Sequence, residues 1–207
     1  METEDAGQRP RLTARGRATR TRILETADQL TYQQGVAWTT VEDVTTASGT
    51  SKSQFYQHFA DKDALIHEVI ALRAQRVLHQ QAKRLERVDS VRGLERWRDS
   101  VLRRMARGHS PYGCELGSLV NELAGKDQFA REALAEHFST WQGLLSAGID
   151  RMRDNGTLRA EADPNGLATC LMAALQGGYL LSQLAQGTEP MRLALDMALA
   201  RVRSFSS

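Results

Sequence analysis

Apolar residues recur along this chain at three- and four-residue spacing, and no convincing alternation with period two appears. That period marks one face of an α-helix, so the pattern predicts an all-α fold. Ile23, Leu24, Ala27 and Leu30 form the first stripe and predict a helix over 18–34, closed by Gly35 as a C-terminal cap. Thr39 or Thr40 caps a short second helix, with Glu42 or Asp43 three residues on completing a capping box and Val41, Val44 and Ala47 on its buried face. Gly49 breaks that helix, and a third is expected over 51–59. Asp61 caps a fourth, which carries Leu65, Ile66, Val69, Ile70 and Leu72.

Past about residue 80 the predicted helices lengthen. Ser90 opens one with Leu94, Trp97, Val101 and Met105 on a face, and 107–117, with Gly108, Pro111, Gly113 and Gly117, reads as a loop. A short helix through Leu119 and Leu123 ends at Gly125. A long one over 128–154 carries Leu134, Phe138, Trp141, Leu145, Ile149 and Met152 and stops at Asn155-Gly156. Asp163-Pro164 opens the next, running to about 186, with aspartate as cap and proline in the first turn. Residues 188–205 supply the last, with Met191, Leu195, Leu199 and Val202. There is no internal repeat.

Composition narrows the class. The 207 residues are 41% hydrophobic and 25% charged, ordinary for a soluble globular protein with room for a sizeable core. No apolar run approaches the roughly 18 residues of a membrane-spanning helix, so no membrane partner is expected. The first residues are acidic, then arginine-rich, unlike a secretory signal, and a cytoplasmic location is expected. Cys114 and Cys170 lie far apart without a CxxC pair, which argues against a disulfide framework or a zinc site. The histidines at 58, 67, 79, 109 and 137 are scattered, and no metal-ligand spacing, phosphate-cradling glycine loop or nucleophile motif accompanies them. Neither catalytic residues nor cofactors are expected.

The net charge of +2 decides little, but its distribution is uneven: arginines at 9, 11, 15, 17, 20 and 22 are accompanied by no acid. Residues 1–16 read as a disordered basic arm. It is either a solvated tail or a segment that neutralises phosphates or enters a minor groove. Arg17, Arg20 and Arg22, directly before the predicted short helices, favour contact with DNA.

The most informative stretch is Gly49 to Lys62. A glycine turn precedes a short helix with two apolar anchors, Phe55 and Phe59, among small and polar groups, which suits the second helix of a helix-turn-helix. Its outward set is Ser51, Lys52, Ser53, Gln54, Tyr56, Gln57 and His58. Gln54 is the leading base-reading candidate, since glutamine bonds bidentately to adenine. Lys52 suits guanine or phosphate. Tyr56, His58 and Lys62 suit phosphate, and Thr40 offers a hydroxyl at a helix N-terminus. Tyr56 and His58 could instead simply pack and face water. One short helix reads too few bases, so a dimer on a palindrome is expected, with half-sites about 34–36 Å apart or a multiple of that. Gly177 and Gly178, with Leu171, Leu181, Leu195, Leu199 and Val202, are the candidate dimer interface, the alternative being that they form the core of one chain.

Residues 20–65 resemble the N-terminal domain of the TetR family of transcriptional regulators. The resemblance is carried by Ile23-Leu24, Ala27, Leu30, Gly35, Thr39-Thr40-Val41, Asp43-Val44, Gly49, Ser51-Lys52, Phe55-Tyr56, His58-Phe59 and Lys62. Gly113 to Leu119 and Ala174 to Gly178 resemble the C-terminal domains of the LmrA and YxaF type. The implied organisation is a helix-turn-helix domain over 17–62, a connecting helix over 63–80 and a ligand-binding and dimerisation domain over 81–207. Thr31, Thr45, Ser48 and Thr50 depart from the family's usual apolar residues, and their hydroxyls need partners if buried.

The resemblance further implies a homodimeric repressor released from a double-stranded DNA operator by a small-molecule effector. Trp97, Met105, Tyr112, Leu116, Phe138, Trp141, Leu145, Met152, Met172 and Tyr179 supply material for an apolar pocket, with Gln176 as a polar contact, although a plain helical core would use the same residues. A largely apolar, aromatic or polyphenolic effector is the expectation. Cys114, after Gly113 at an expected helix start, could sense oxidants or electrophiles or be a buried structural thiol. A DNA-binding accessory protein without a ligand is the other alternative.

Overall fold

The computed structural model describes residues 13–108 and 113–207, which divide into two compact units between Val69 and Ile70. Arg9, Arg11 and Tyr112 lie outside the described residues. The described helices are α1 (Ala14–Gln34), α2 (Val41–Ser48), α3 (Lys52–His58), α4 (Lys62–Leu85), α5 (Val91–Ala106), α6 (Gly117–Leu123), α7 (Gln128–Asp154), α8 (Pro164–Ala185) and α9 (Glu189–Arg203).

In the first unit, α1 starts earlier than its apolar stripe does. Thr13 Oγ1 accepts from the Gly16 N–H at 3.1 Å and caps it, so residues 14–16 are helical rather than part of a disordered arm. Ile23 and Ala27 of α1 meet Val44 of α2, Phe55 and Phe59 around α3, and Leu65 and Val69 of α4 in one buried cluster. The hydroxyls at departing positions are partnered locally, within a helix or in the turn that follows it. Thr31 Oγ1 donates to the Ala27 carbonyl at 2.8 Å, Thr45 Oγ1 donates to the Glu42 carbonyl at 3.1 Å, and Ser48 and Thr50 share a hydrogen bond of 2.8 Å. Because those bonds replace the ones water would make, burying the hydroxyls is tolerated.

The boundary between units falls inside α4, which continues unbroken to Leu85, so neither an 80/81 boundary nor a separate connecting helix over 63–80 marks the division. In the second unit α8 is central, packed along α9 and α7. With 22 residues and no charged one, α8 has the length and apolar content of a membrane-crossing helix, contrary to the expectation that no run came close. Its Leu167, Leu171 and Leu175 are buried among the neighbouring helices, which explains that composition as core material.

The same burial corrects the expected dimer interface. Leu171, Leu195, Leu199 and Val202 are all 0% exposed within a single chain, so no second copy could touch them. A Cβ on Gly178 would lie 3.0 Å from Met191 Cα, so this glycine permits close approach of α8 to α9 inside one chain. Of the expected set, only Gly177 and Leu181 face outward. Cys170, on the same helix, is exposed.

Candidate nucleic-acid interface and small-molecule cavity

The helix-turn-helix is built from two reciprocal caps. At the start of α2, the Thr40 hydroxyl accepts from the Asp43 N–H at 3.1 Å, while Asp43 Oδ2 accepts from the Thr40 N–H at 2.8 Å and from the Thr40 hydroxyl at 2.7 Å. The Thr40 hydroxyl, then its backbone N–H, and more weakly the Lys62 charge, hold the Asp43 carboxyl below its ordinary range. Gly49 ends α2 in the left-handed region, at φ 62°. Ser51 and Gln54 repeat the motif on α3: Ser51 Oγ accepts from the Gln54 N–H at 3.1 Å, and Gln54 Oε1 accepts from the Ser51 N–H at 2.9 Å.

This geometry revises several expected roles. Reading adenine bidentately would require Gln54 Oε1, which already serves the cap, although its amide N–H₂ can still donate. Lys62 Nζ donates to the Val36 carbonyl at 2.7 Å and pins the start of α4 to the turn between α1 and α2, so its ammonium is committed in part to structure. Arg20 ion-pairs with Glu68 and lies 5.0 Å from the Phe59 ring centre, leaving it more a brace than a free phosphate contact. Lys52 reaches Glu42 at 3.4 Å, an exposed pair of small energetic consequence.

The remaining expected contacts lie at the surface. Arg17, Ser53 and Gln57 are exposed, and Tyr56 is 57% exposed with its ring edge-on to Phe55. Phe55 and Phe59 are buried on the opposite side. His58 is half-buried, and its Nδ1 is enclosed without a hydrogen-bond partner. One feature was missed: Trp38 is 79% exposed in the turn leading to Thr40. A tryptophan directly before Thr39-Thr40 was the available signal.

In the second unit, α6, α7 and α8 line a cavity of about 670 Å³ that is open to solvent on one side. It brings together four expected residues, Cys114, Phe138, Gln176 and Tyr179, and adds Val120, Asn121, Arg131, Leu134, Leu180 and Gln183. The signal for these additions lay in spacing: 131, 134 and 138 share one side of α7, and 176, 180 and 183 one side of α8.

The other expected pocket residues do not line it. Trp97 is core, its indole N–H donating to Gln81 Oε1 at 3.0 Å. Leu116, Leu145 and Met152 are 0% exposed, Met172 is buried, and Met105 is half-buried away from the cavity. Trp141 packs behind Phe138, with ring centres 6.2 Å apart. Burial pushes the Cys114 thiol up, aided by the Glu115 charge; the Gly117 and Leu116 N–H groups and the adjoining Gln176 side chain oppose it. A thiol so held is mostly protonated and a poor nucleophile. Among the described residues, no group of histidine, cysteine and acidic side chains could hold a metal ion.

Comparison with known proteins agrees with this architecture. Residues 23–69 match the family of bacterial regulatory proteins of the tetR type, and residues 90–198 match the tetracyclin repressor-like C-terminal domain. The chain is 26% identical over 194 residues to the HTH-type transcriptional regulator YxaF of Bacillus subtilis strain 168, spanning 93% of this chain and 98% of that protein. It is 25% identical over 174 residues to the HTH-type transcriptional repressor DhaR of Mycobacterium sp. strain GP1, covering 83% and 86%. Its fold matches the crystal structure of a TetR transcriptional regulator from Chloroflexus aurantiacus with a TM-score of 0.82 at 21% identity, over 94% of this chain and 98% of that one.

Proposed function

This chain belongs to the TetR family of transcriptional regulators, and on that premise we propose that it is a cytoplasmic, homodimeric repressor whose palindromic operator is released when a small, largely apolar effector enters the cavity of the second unit. The observation that carries the reading is the division of labour on α3. Phe55 and Phe59 face the core, while Lys52, Ser53, Tyr56 and Gln57 present donors and acceptors outward on a helix held by a capping box at its N-terminus. Such a helix enters a major groove without unfolding its own domain. Tyr56, Gln57 and the amide N–H₂ of Gln54 are assigned to the groove, Arg17 and Lys52 to phosphates, and the Thr40 end of α2 to the backbone.

Two copies are needed for selectivity. Leu181 and Leu184 on α8, with Leu193 and Met197 on α9, are apolar and exposed. These residues, with Gly177, replace the buried leucines as the proposed interface. A wide cavity favours a ligand-responsive regulator over an accessory protein, and the raised Cys114 thiol argues against a cysteine sensor.

The test is selection of bound sequences from a random duplex pool by the purified chain at physiological salt. A palindrome with half-sites one turn, or a multiple, apart is expected. Weak binding that is indifferent to sequence and steeply salt-dependent would overturn the repressor assignment.

A further inference from the structure

Resting on the assignment of the cavity as the effector site, we propose that the effector is an apolar molecule carrying one anionic acceptor group, a carboxylate, sulfonate or ionised phenol, held between Arg131 and the side-chain amide of Gln176. The walls supplied by Val120, Leu134, Phe138 and Leu180 are apolar, so the body of the ligand must be too. The polar positions are more selective. Gln176 Nε2 is buried beside the Cys114 sulfur, a weak acceptor, and makes no hydrogen bond of good geometry. An amide nitrogen can only donate, so the missing partner is an acceptor.

Among the described residues lining the cavity, Arg131 alone is charged. Its contact to Glu132 is long, at 3.5 Å, and half-exposed on both sides, so it competes weakly with a ligand. The surroundings lean the same way. Arg84 interacts electrostatically with Tyr179 of the wall; burial first, and the Arg104 charge second, lower its pKa. Arg104 and Arg76 share the single carboxylate of Glu115, at 3.9 Å each. A region so rich in arginine favours an anion and disfavours a cation.

Two fluorescent probes with the same ring skeleton test this on the intact protein: anilinonaphthalene sulfonate, which is anionic, and phenylnaphthylamine, which is neutral. The sulfonate is expected to bind at least about tenfold tighter, the scale of one charge-assisted hydrogen bond. Arg131→Ala, at an exposed helix position, should erase that preference while leaving the neutral probe unchanged. Gln176→Leu should weaken the sulfonate several-fold without lowering the thermal midpoint of the ligand-free protein, because it removes an unpartnered donor. Equal affinity for both probes overturns the anionic class and leaves the cavity assignment standing. Binding of neither probe overturns the effector assignment itself. A sulfonate signal unmoved by both variants lies outside the cavity and overturns the proposal.

Discussion

The two units treat most polar side chains of their candidate sites in opposite ways, the unpartnered Nδ1 of His58 being an exception in the first. In the first, groups suited to DNA are already engaged: Thr40 with Asp43, Gln54 with Ser51, Lys62 with the Val36 carbonyl, Arg20 with Glu68. In the second, the cavity keeps Gln176 Nε2 unpartnered beside a void of about 670 Å³. A short helix must be held rigid by its own caps before it can enter a groove, whereas a binding cavity must leave bonding capacity for its ligand. The lesson is that substitutions in the first unit couple function to stability, and those in the cavity separate them.

The largest expected effect distinguishes core from interface in the second unit. Leu195→Arg places a charge where exposure is 0%, and should cost about 4 kcal/mol or more, with loss of helical circular dichroism. Leu184→Glu, at 78% exposure, should keep the helicity and halve the mass measured by sedimentation. A dimer that survives Leu184→Glu together with Met197→Glu would move the interface off this face.

Next in size is the contrast between Lys62 and Tyr56. Lys62→Ala removes a charge-assisted bond to the Val36 carbonyl and should cost about 1.5–3 kcal/mol, so any lost operator binding is accompanied by a lower thermal midpoint. Tyr56→Ala removes an exposed ring and should weaken operator binding at least about tenfold, a loss of roughly 1.4 kcal/mol in binding, while the midpoint stays nearly still. Equal midpoints for the two variants would show that Lys62 is not a structural tie.

These contrasts follow local rules that the sequence states openly, and they stop where the rules stop. The caps of α2 and α3, the turn at Gly49 and the span of α7 depend on neighbours three or four residues away, so they are visible in a single chain. Even there, Ser51…Gln54 was read for base contact although it repeats the pattern of Thr40…Asp43. The leucines expected at a dimer interface prove buried for a different reason. Apolar residues run around much of α8, and periodicity cannot say whether Leu171 or Leu184 is covered by the same chain. Gly178 is explained only by Met191, a residue of another helix. Likewise, a stripe such as Leu134 and Phe138 borders a core or a void with equal ease, and only the distance to the opposing helix decides which.

A smaller effect tests whether the Gln54 cap and its DNA contact are one device. Gln54→Glu keeps an acceptor at the third helical position, so stability should change by less than about 0.5 kcal/mol. The added negative charge should nevertheless abolish measurable operator binding. Gln54→Ala should cost about 1 kcal/mol or less by urea titration, through the lost cap. Retained operator affinity in the glutamate variant would take Gln54 out of the groove.

The smallest effect is a pH dependence at Asp43. Its folded carboxyl titrates below the ordinary value near 3.8, so the folded state binds a proton less readily than the unfolded chain. The stabilisation is therefore fully present above that ordinary value and is lost as pH falls through the lower, folded one. Asp43→Asn lacks the ionisable group, so its stability deficit against the native chain should narrow below about pH 4. Because Asp43 is only half-buried, the change is small and is best followed by the carboxyl carbon shift in an NMR titration beside thermal melts. A midpoint at or above the ordinary value would mean that the Thr40 bonds do not favour the carboxylate. The cap would then hold α2 by geometry alone, and the coupling between charge and recognition in the first unit would rest on Lys62 and Arg20.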